Sequence, residues 1–444
     1  MGKKAFRHFP ESFFDSQFPK VTEIDAFISN ASLQKGAEQL SVRAEEIGTS
    51  VEGRSIRALR ISRSKTLNSN NDDDDECDGN ADLELLVVAG LHSREWVTIG
   101  GVLCALDELV NSARNSHIGS LRDQIRSGKV VLRTVIVANP DGYSYTRTKY
   151  RHWRKNRNDP AVDLNRNFGV DKVSWGFGTL STSSELYQGP RPFSEPESEA
   201  LRTFVSAATA RAKRCGRSVA LLDVHCCARV VYPPFMYRKM SDEALKRIEN
   251  IGINVAQGAL HASTSEVQNR FRTAARPHLY TYKTREKTFS KSNTGVFIDW
   301  AFGENGVDAA YMLEVRGAAS PASFKALFRN EKSDQCPVGR EIVGAINALA
   351  QSFEAVSQRP ISPPQASSPN VWSRNASSML FTSRAESNLS LLAFASRSNV
   401  TDKIIAPSPR IGATMFETFR DLEFLQALAL CAVAALLLVR RGVR

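Results

Sequence analysis

Residues 23–352 alternate between apolar runs of strand length and longer stretches of helix length. Four apolar runs stand out, LELLVVAG, KVVLRTVIVANP, SVALLDVH and AAYMLEV. Helix-like stretches such as PESEALRTFVSAATARA and GREIVGAINALAQSF lie between or after them. Strands that are apolar along their whole length are buried on both faces, which is typical of parallel strands covered by helices. The sequence therefore predicts an α/β domain with a mixed, largely parallel twisted sheet flanked by helices.

The composition changes near residue 353. Six of the 18 prolines lie between Pro360 and Pro409, within the serine-rich segment 353–423. Such a segment cannot bury enough apolar surface to offset its ordering, so we expect a disordered stalk. Three N-x-S/T triplets fall in the stalk and a fourth begins at Asn30; they are either glycan acceptors or chance triplets in a serine-rich linker.

The far C-terminus predicts a membrane anchor. The uncharged run FLQALALCAVAALLLV, residues 424–439, precedes the basic tail 440–444, although a buried or surface-lying helix is the alternative. The first twenty residues contain no apolar stretch typical of a signal peptide. The basic tail favours a lumenal or extracellular main domain, whereas a tail-anchored topology would leave that domain in the cytosol.

Charge and cysteine content exclude some classes of protein. The 58 Lys and Arg outnumber the 47 Asp and Glu, but they are spread along the chain, so we expect no nucleic-acid partner. The seven cysteines are irregularly spaced, which predicts neither a zinc ribbon nor a dense disulfide scaffold and leaves the redox compartment open. A hydrophobic content of 42% is ordinary for a globular core.

Charged side chains follow the first apolar run directly, in the sequence AGLHSREW. In α/β sheets, ligands bind at the carboxyl ends of strands, and His92 and Glu95 are placed at such an end. Catalytic zinc sites commonly use two histidines and one carboxylate, and His225, at the end of SVALLDVH, is the best third ligand. A lone HxxE pair is weak evidence, since most single histidines are ordinary core or surface groups.

Seven further motifs occur in one order along the chain. They are ANPDGY, RHWRKNR, VDLNRNF, ELYQGPRPFSEPES, DVHCCARVVYPPF, FIDWAFGENGV and YMLEVRG. Together they closely resemble the zinc metallocarboxypeptidase family, M14, in its carboxypeptidase A/B-like branch, from about residue 13 to residue 352. The resemblance implies a catalytic domain over 13–352, preceded by an extension of residues 1–12.

The resemblance also implies a role for each matching residue. His92, Glu95 and His225 would bind one zinc ion, and Glu314 of YMLEVRG would be the general base. Arg154 of RHWRKNR would polarise the scissile carbonyl and hold the developing oxyanion. A zinc ion that acidifies water, beside a carboxylate that takes the proton, fits peptide hydrolysis.

Substrate contacts are implied in the same way. Asn165 and Arg166 of DLNRNF would clamp the terminal carboxylate, and Arg94 would line the cleft for the penultimate part of the substrate. Asp163 matches the carboxylate that receives a ring N–H from the first histidine ligand. Without the surrounding motifs, surface ion pairs would be the simpler interpretation of these arginines.

The residue before Asp-Trp in FIDWAF lies at the base of the family's specificity pocket. Here it is Ile298, which predicts apolar or aromatic C-terminal residues as substrates, and Met312 is expected to narrow the same pocket.

Two positions depart from the family pattern. Cys227 stands where the family has a tyrosine, and Lys291 aligns with a second tyrosine on a mobile loop. Lys291 could pair with the terminal carboxylate as a flexible point charge, or it could admit an acidic terminal residue. Tyr280 or Tyr282 could instead be supplied by a shifted loop.

Two functions therefore follow from the sequence. The first is a zinc-dependent exopeptidase that removes apolar residues from the C-termini of peptides or proteins. The alternative is a catalytically silent protein that binds peptide C-termini on the same fold. The sequence predicts no oligomeric state.

Overall fold

The structure is a computed structural model of the 444-residue chain. It describes residues 9–10, 12–32, 40–64, 77, 81–111, 116–169, 175, 177–263, 280–282, 293–318 and 323–354. The predicted stalk 353–423 (apart from its first two residues), the apolar run 424–439 and the basic tail 440–444 lie outside these residues, as does Lys291. Among the helices that are described, none combines the length and apolar character needed to cross a membrane.

Eight strands form one mixed sheet in the order β1-β2-β4-β3-β5-β8-β6-β7. Their bounds are β1 Leu40–Thr49, β2 Ser55–Arg63, β3 Leu83–Ala89, β4 Val130–Val135, β5 Ser218–Cys226, β6 Val230–Tyr232, β7 Thr281–Tyr282 and β8 Ala309–Val315. The central strands β4, β3, β5 and β8 are mutually parallel, and antiparallel pairing joins β2 to β4 and β6 to β8. This confirms the predicted α/β fold with a mixed sheet.

Nine helices connect and cover the strands in the described part of the chain. They are α1 Phe13–Ser16, α2 Val21–Ser32, α3 Trp96–Asn111, α4 Ser116–Arg126, α5 Pro140–Thr148, α6 Pro196–Arg214, α7 Asp242–His261, α8 Phe297–Gly303 and α9 Gln335–Glu354. Helix α9 packs against α3, α4 and α7, whereas α6 packs against β1, β3 and β5. Strands β3 and β4 are buried at every position, which explains why their sequences show no polar alternation.

Disulfides pair six of the seven cysteines. Cys77–Cys215 ties the segment before β3 to the end of α6, and Cys104–Cys336 joins α3 to α9. The third disulfide links the neighbours Cys226 and Cys227 at the end of β5. The irregular spacing of the cysteines did not reveal these pairs because two of them close loops of 138 and 232 residues.

A buried carboxyl outside the strand ends makes stability depend on pH. Burial raises the pKa of Glu197 to about 7, against the opposing hydrogen bonds from its own backbone, Asn156 and Val51. The folded protein therefore binds a proton more tightly than the unfolded chain, whose pKa is near 4.5. This contribution to stability is complete below that value and is lost as the pH rises through about 7.

We expect Glu197→Gln to remove this dependence, because glutamine keeps the size of the side chain and does not titrate. Between pH 4.5 and pH 8 the stability of the wild type relative to the variant should fall by about 3 kcal/mol. Urea unfolding of both proteins across that range measures the difference. Parallel pH profiles for the two proteins would contradict the assignment.

Candidate active site

Three neighbouring parallel strands deliver the candidate site residues to one edge of the sheet. His92 and Glu95 follow β3, His225 lies near the end of β5, and Glu314 lies near the end of β8 as the register partner of His225. Gly90 makes the turn out of β3 with φ +74°, a conformation that a side chain rarely adopts. The carboxyl ends of these strands therefore bring residues from distant parts of the sequence together.

Three of these residues face one point. His92 Nδ1 lies 2.9 Å from Glu95 Oε1, and His225 Nδ1 lies 3.0 Å from His92 Nδ1 and 3.1 Å from Glu95 Oε2. Ligand atoms around a tetrahedral zinc ion are separated by about 3.3 Å, so the spacing fits such an ion. Two imidazole nitrogens this close need a proton or a cation between them. The residue types and their geometry thus suit a zinc ion.

The far nitrogen of each histidine faces a buried carboxylate. His92 Nε2 lies 3.1 Å from Asp163 Oδ1, as the sequence predicted for this pair. His225 Nε2 lies 2.9 Å from Asp223 Oδ2, and this second carboxylate was not identified from the sequence. The spacing of Asp223 and His225 could have indicated this contact, because residues two apart on a strand point to the same face.

Opposite charges and burial act against each other on these groups. Burial would raise the pKa of Asp163, but the Arg154 guanidinium and then His92 hold it well below its usual range. Burial likewise opposes ionisation of Glu95, yet the two histidines lower its pKa. For Glu314, burial and then the nearby Glu95 carboxylate raise the pKa to about 7. The pKa of Glu314 thus lies near neutral pH, which suits a general base.

Arg154 is held beside the metal-binding point by Asp163. Its Nε and Nη2 atoms donate to Asp163 Oδ2 at 3.1 and 2.9 Å. Its remaining terminal nitrogen, Nη1, has no hydrogen-bond partner among the described residues. Asp163 therefore positions the first histidine and this arginine at the same time, and leaves one guanidinium edge available.

Two loops of the site are fastened to each other. Ser93 N donates to the Arg154 carbonyl at 3.2 Å, and Ser93 Oγ donates to the Trp153 carbonyl at 2.7 Å. Asn139, which caps α5 in the ANPDGY motif, donates from its side-chain amide to the carbonyls of Leu91 and Lys155. These bonds explain why that motif accompanies the site without contributing a ligand.

Arg166 is a partly buried cation without an acidic partner among the described residues. Its Nη1 donates to the Asn165 carbonyl at 2.7 Å, and its Nε has no partner. No carboxylate of the described chain lies within ion-pair distance of this guanidinium, and burial lowers its pKa. Gly295, with φ +71°, passes so close that an added Cβ would lie 2.0 Å from the Arg166 carbonyl oxygen.

Asn165, predicted to clamp the terminal carboxylate of a substrate, contacts other residues of the protein through both ends of its side-chain amide. Its Oδ1 accepts a hydrogen bond from Phe297 N at 2.9 Å, and its Nδ2 lies 3.2 Å from His225 Nε2. Both ends of this amide are therefore engaged within the protein.

Arg94 is buried and stacked, not a surface ion-pair residue. Its guanidinium lies 4.5 Å from the Phe328 ring centroid, and its Nη1 is 3.2 Å from the exposed carboxylate of Glu185. Burial and the neighbouring Arg154 lower its pKa. The predicted role of Arg94, lining the cleft for the penultimate part of the substrate, stays a prediction.

The residues predicted to shape the specificity pocket and the cleft are buried in the structure. Ile298 is fully buried in α8, and Met312 is buried on β8 as the register partner of Asp223. Tyr280 donates its hydroxyl to Glu341 at 2.6 Å inside the fold, so it does not supply the missing cleft tyrosine.

The sequence is similar to those of known proteins. A model of the zinc carboxypeptidase family matches residues 31–335. A relative named "Inactive metallocarboxypeptidase ecm14", from Sclerotinia sclerotiorum, is 29% identical over 316 residues, covering 69% of this chain and 49% of the relative. Carboxypeptidase A5 of Macaca fascicularis is 26% identical over 323 residues, covering 69% of this chain and 61% of the relative.

The fold is also similar to that of solved structures. Carboxypeptidase A from Helicoverpa armigera aligns with a TM-score of 0.61 and 26% identity, over 78% of this chain and 76% of that chain. The chain spans about half the length of the first curated relatives that it matches. Since the family model covers 305 of the 444 residues and includes all the site residues described above, the chain belongs to the zinc carboxypeptidase family, M14.

Proposed function

We propose that this chain is a zinc-dependent exopeptidase that hydrolyses the C-terminal bond of peptides or proteins. The observation that carries the proposal is the partly buried guanidinium of Arg166, which has no carboxylate within ion-pair distance among the described residues. A cation that is partly removed from water and has no ion-pair partner loses hydration without compensation, so a substrate carboxylate is its natural counterion. The planar fork of arginine binds such a carboxylate through two hydrogen bonds.

His92, Glu95 and His225 would hold the zinc ion. When bound, zinc supplies a Lewis acid that acidifies water and polarises the scissile carbonyl. The mutual approach of the three ligand atoms supports this assignment.

Two residues would carry the proton and charge movements. Glu314 would take the proton of the attacking water and deliver it to the leaving amine, and its pKa near 7 suits both steps. Arg154 would donate from its available edge to the oxygen of the carbonyl as negative charge develops there. Asp163 supports this role because it fixes the guanidinium through two hydrogen bonds.

Apolar or aromatic C-terminal residues are the expected substrates. Ile298 carries no charge that could bind a basic side chain, and it is fully buried in the hydrophobic core. Lys291 lies outside the described residues, so its proposed pairing with a terminal carboxylate rests on the resemblance of the sequence to the family.

One peptide panel tests the proposal. We expect release of the terminal residue from matched peptides ending in Phe or Leu at least tenfold faster than from peptides ending in Lys or Glu. A metal chelator should abolish release, and added zinc should restore it. The same peptides with an amidated C-terminus should be inert, because they lack the carboxylate that Arg166 would bind.

The outcomes separate the parts of the proposal. A preference for Lys would overturn the argument from Ile298, and a preference for Glu would implicate Lys291. Equal cleavage of amidated peptides would overturn the Arg166 clamp. Binding of peptides without any release would favour the catalytically silent alternative, which the names of the inactive relatives support. The complete set of ligands and Glu314 in this chain supports catalysis instead.

We further propose that the domain lies in an oxidising compartment, on the lumenal or extracellular side. Three disulfides support this location, because disulfides are rare in cytosolic proteins. The exposed side chain of Asn30, which begins a glycosylation triplet, is compatible with it. The membrane anchor over 424–439 stays a prediction from the sequence.

A further inference from the structure

We propose that Asp223 is a positioning residue for the metal centre, acting through His225 as Asp163 acts through His92. It would accept the N–H of His225 Nε2, so that Nδ1 keeps its lone pair for the metal. The resemblance assigned such a carboxylate only to the first histidine. This inference rests on the proposed zinc site, and it concerns a residue to which the resemblance assigned no role, although Asp223 begins the motif DVHCCARVVYPPF.

The position of Asp223 follows from the strand on which it lies. Asp223 and His225 are two residues apart on β5, so their side chains point to the same face of the sheet. The Oδ2 to Nε2 distance is 2.9 Å, and both side chains are almost completely buried. A short strand segment therefore holds the ring and the carboxylate in one fixed arrangement.

The neighbouring amide does not compete for this proton. Asn165 Nδ2 lies 3.2 Å from the same ring nitrogen. The orientation of this amide is fixed, because its Oδ1 accepts from Phe297 N. An amide nitrogen is a donor and cannot accept an N–H. Among the described residues, the Asp223 carboxylate is thus the acceptor available to His225 Nε2.

The environment of Asp223 gives it no other charged partner in the described chain. Its only ion-pair contact is with His225, and its second oxygen, Oδ1, is buried without a hydrogen bond. A buried carboxylate in this state is destabilising unless its partner carries positive charge. An imidazole whose other nitrogen binds a divalent cation meets that requirement.

The charges around the site agree with a divalent ion. Glu95, Asp163 and Asp223 lie within hydrogen-bond distance of the two histidines. Arg154 neutralises Asp163 through two hydrogen bonds. The carboxylates of Glu95 and Asp223 both contact the histidines and have no Lys or Arg partner in the described chain, so a divalent cation held by the histidines is a suitable counterion for both.

The direct test is the zinc affinity of the full chain, measured by competition with a chromogenic chelator. Carboxylates behind metal-binding histidines typically contribute 10- to 100-fold in metal affinity. We expect Asp223→Asn to weaken zinc binding about tenfold, since an amide oxygen is a weaker acceptor, and Asp223→Ala to weaken it more. Asp163→Asn provides the comparison for the other histidine.

Asp308→Asn is the matched control. Asp308 accepts a hydrogen bond from Val219 N at 2.8 Å, at the opposite end of β5, about 20 Å from His225. This variant should destabilise the fold without changing zinc affinity by more than about twofold. Thermal unfolding of the metal-free proteins shows whether each variant is folded, and Asp223→Asn, which preserves the size of the side chain, decides the matter if Asp223→Ala does not fold.

A spectroscopic measurement separates positioning from general destabilisation. Cobalt(II) in place of zinc reports ligand geometry through its visible absorption, which should shift in the Asp223 variants and not in Asp308→Asn. Zinc affinity in Asp223→Asn and Asp223→Ala within twofold of the wild type, with unchanged cobalt spectra, would overturn the inference. Absence of zinc binding by the wild type would instead overturn the proposed function on which it rests.

Discussion

Replacing Glu314 by Gln should abolish most peptide hydrolysis and leave zinc binding intact. Glutamine has the same size but cannot take a proton from water, and general bases typically contribute 10²- to 10⁴-fold to rate. We expect kcat for a peptide ending in Phe to fall at least a hundredfold. The zinc content of the purified variant should equal that of the wild type, because Glu314 is not one of the three ligands.

Glu304→Gln is the control for this substitution. Glu304 lies exposed at the end of α8 and contacts none of the site residues described here, so its replacement should leave kcat unchanged. If Glu314→Gln retained more than a tenth of the wild-type rate with full zinc content, Glu314 could not be the general base. If the protein is catalytically silent, neither the wild type nor either variant should release a measurable amount of the terminal amino acid.

The second large effect is expected from Arg154→Ala. Loss of one fixed donor to a developing oxyanion typically costs 10²- to 10³-fold in kcat, or about 3–4 kcal/mol. A group that acts mainly in the transition state lowers kcat more than it raises KM. Steady-state kinetics on one peptide at saturating zinc therefore measures both the size and the kind of effect.

Arg157→Ala is the matched control for Arg154. Arg157 lies three residues further along the same loop, and its guanidinium stacks over Tyr145 at 3.8 Å. Loss of this contact should lower the free energy of unfolding and leave kcat close to the wild-type value. Because Arg154 also pairs with Asp163, the zinc affinity of Arg154→Ala must be measured as well. A kcat loss that disappeared once the variant was fully loaded with zinc would assign Arg154 to support of the metal site alone.

These kinetic experiments address a question that relatives do not answer. The chain is 29% identical to a protein named as an inactive metallocarboxypeptidase and 26% identical to one named carboxypeptidase A5. Identities this similar do not favour either activity. The chemistry of the individual site residues is therefore the better guide, and in this chain those residues fit a hydrolytic site.

Much of the fold was predictable because its centre is encoded locally. The four apolar runs identified from the sequence are β3, β4, β5 and β8, the parallel strands at the middle of the sheet. Strands buried on both faces are mostly apolar, with polar exceptions that pair inside the fold such as Glu84 with Arg133, and this pattern is easily recognised. The outer strands β1, β6 and β7 were harder to recognise, because β1 is partly exposed, β6 is three residues long and β7 only two.

The sequence by itself determined the α/β class, and it proposed the metal-binding set His92, Glu95 and His225 and the candidate base Glu314. His92 and Glu95 directly follow an apolar run, and strand ends in such sheets converge on one edge, whereas the base was implied by the resemblance to the zinc carboxypeptidases. Tertiary structure alone decided that Asp223 faces His225, that Asp163 also binds Arg154, and that Cys104 pairs with Cys336. The physical reason is that sequence periodicity sets the face on which a side chain lies, whereas its partners depend on how distant segments pack. Such partners become visible only when the packed chain brings them within hydrogen-bond or covalent distance.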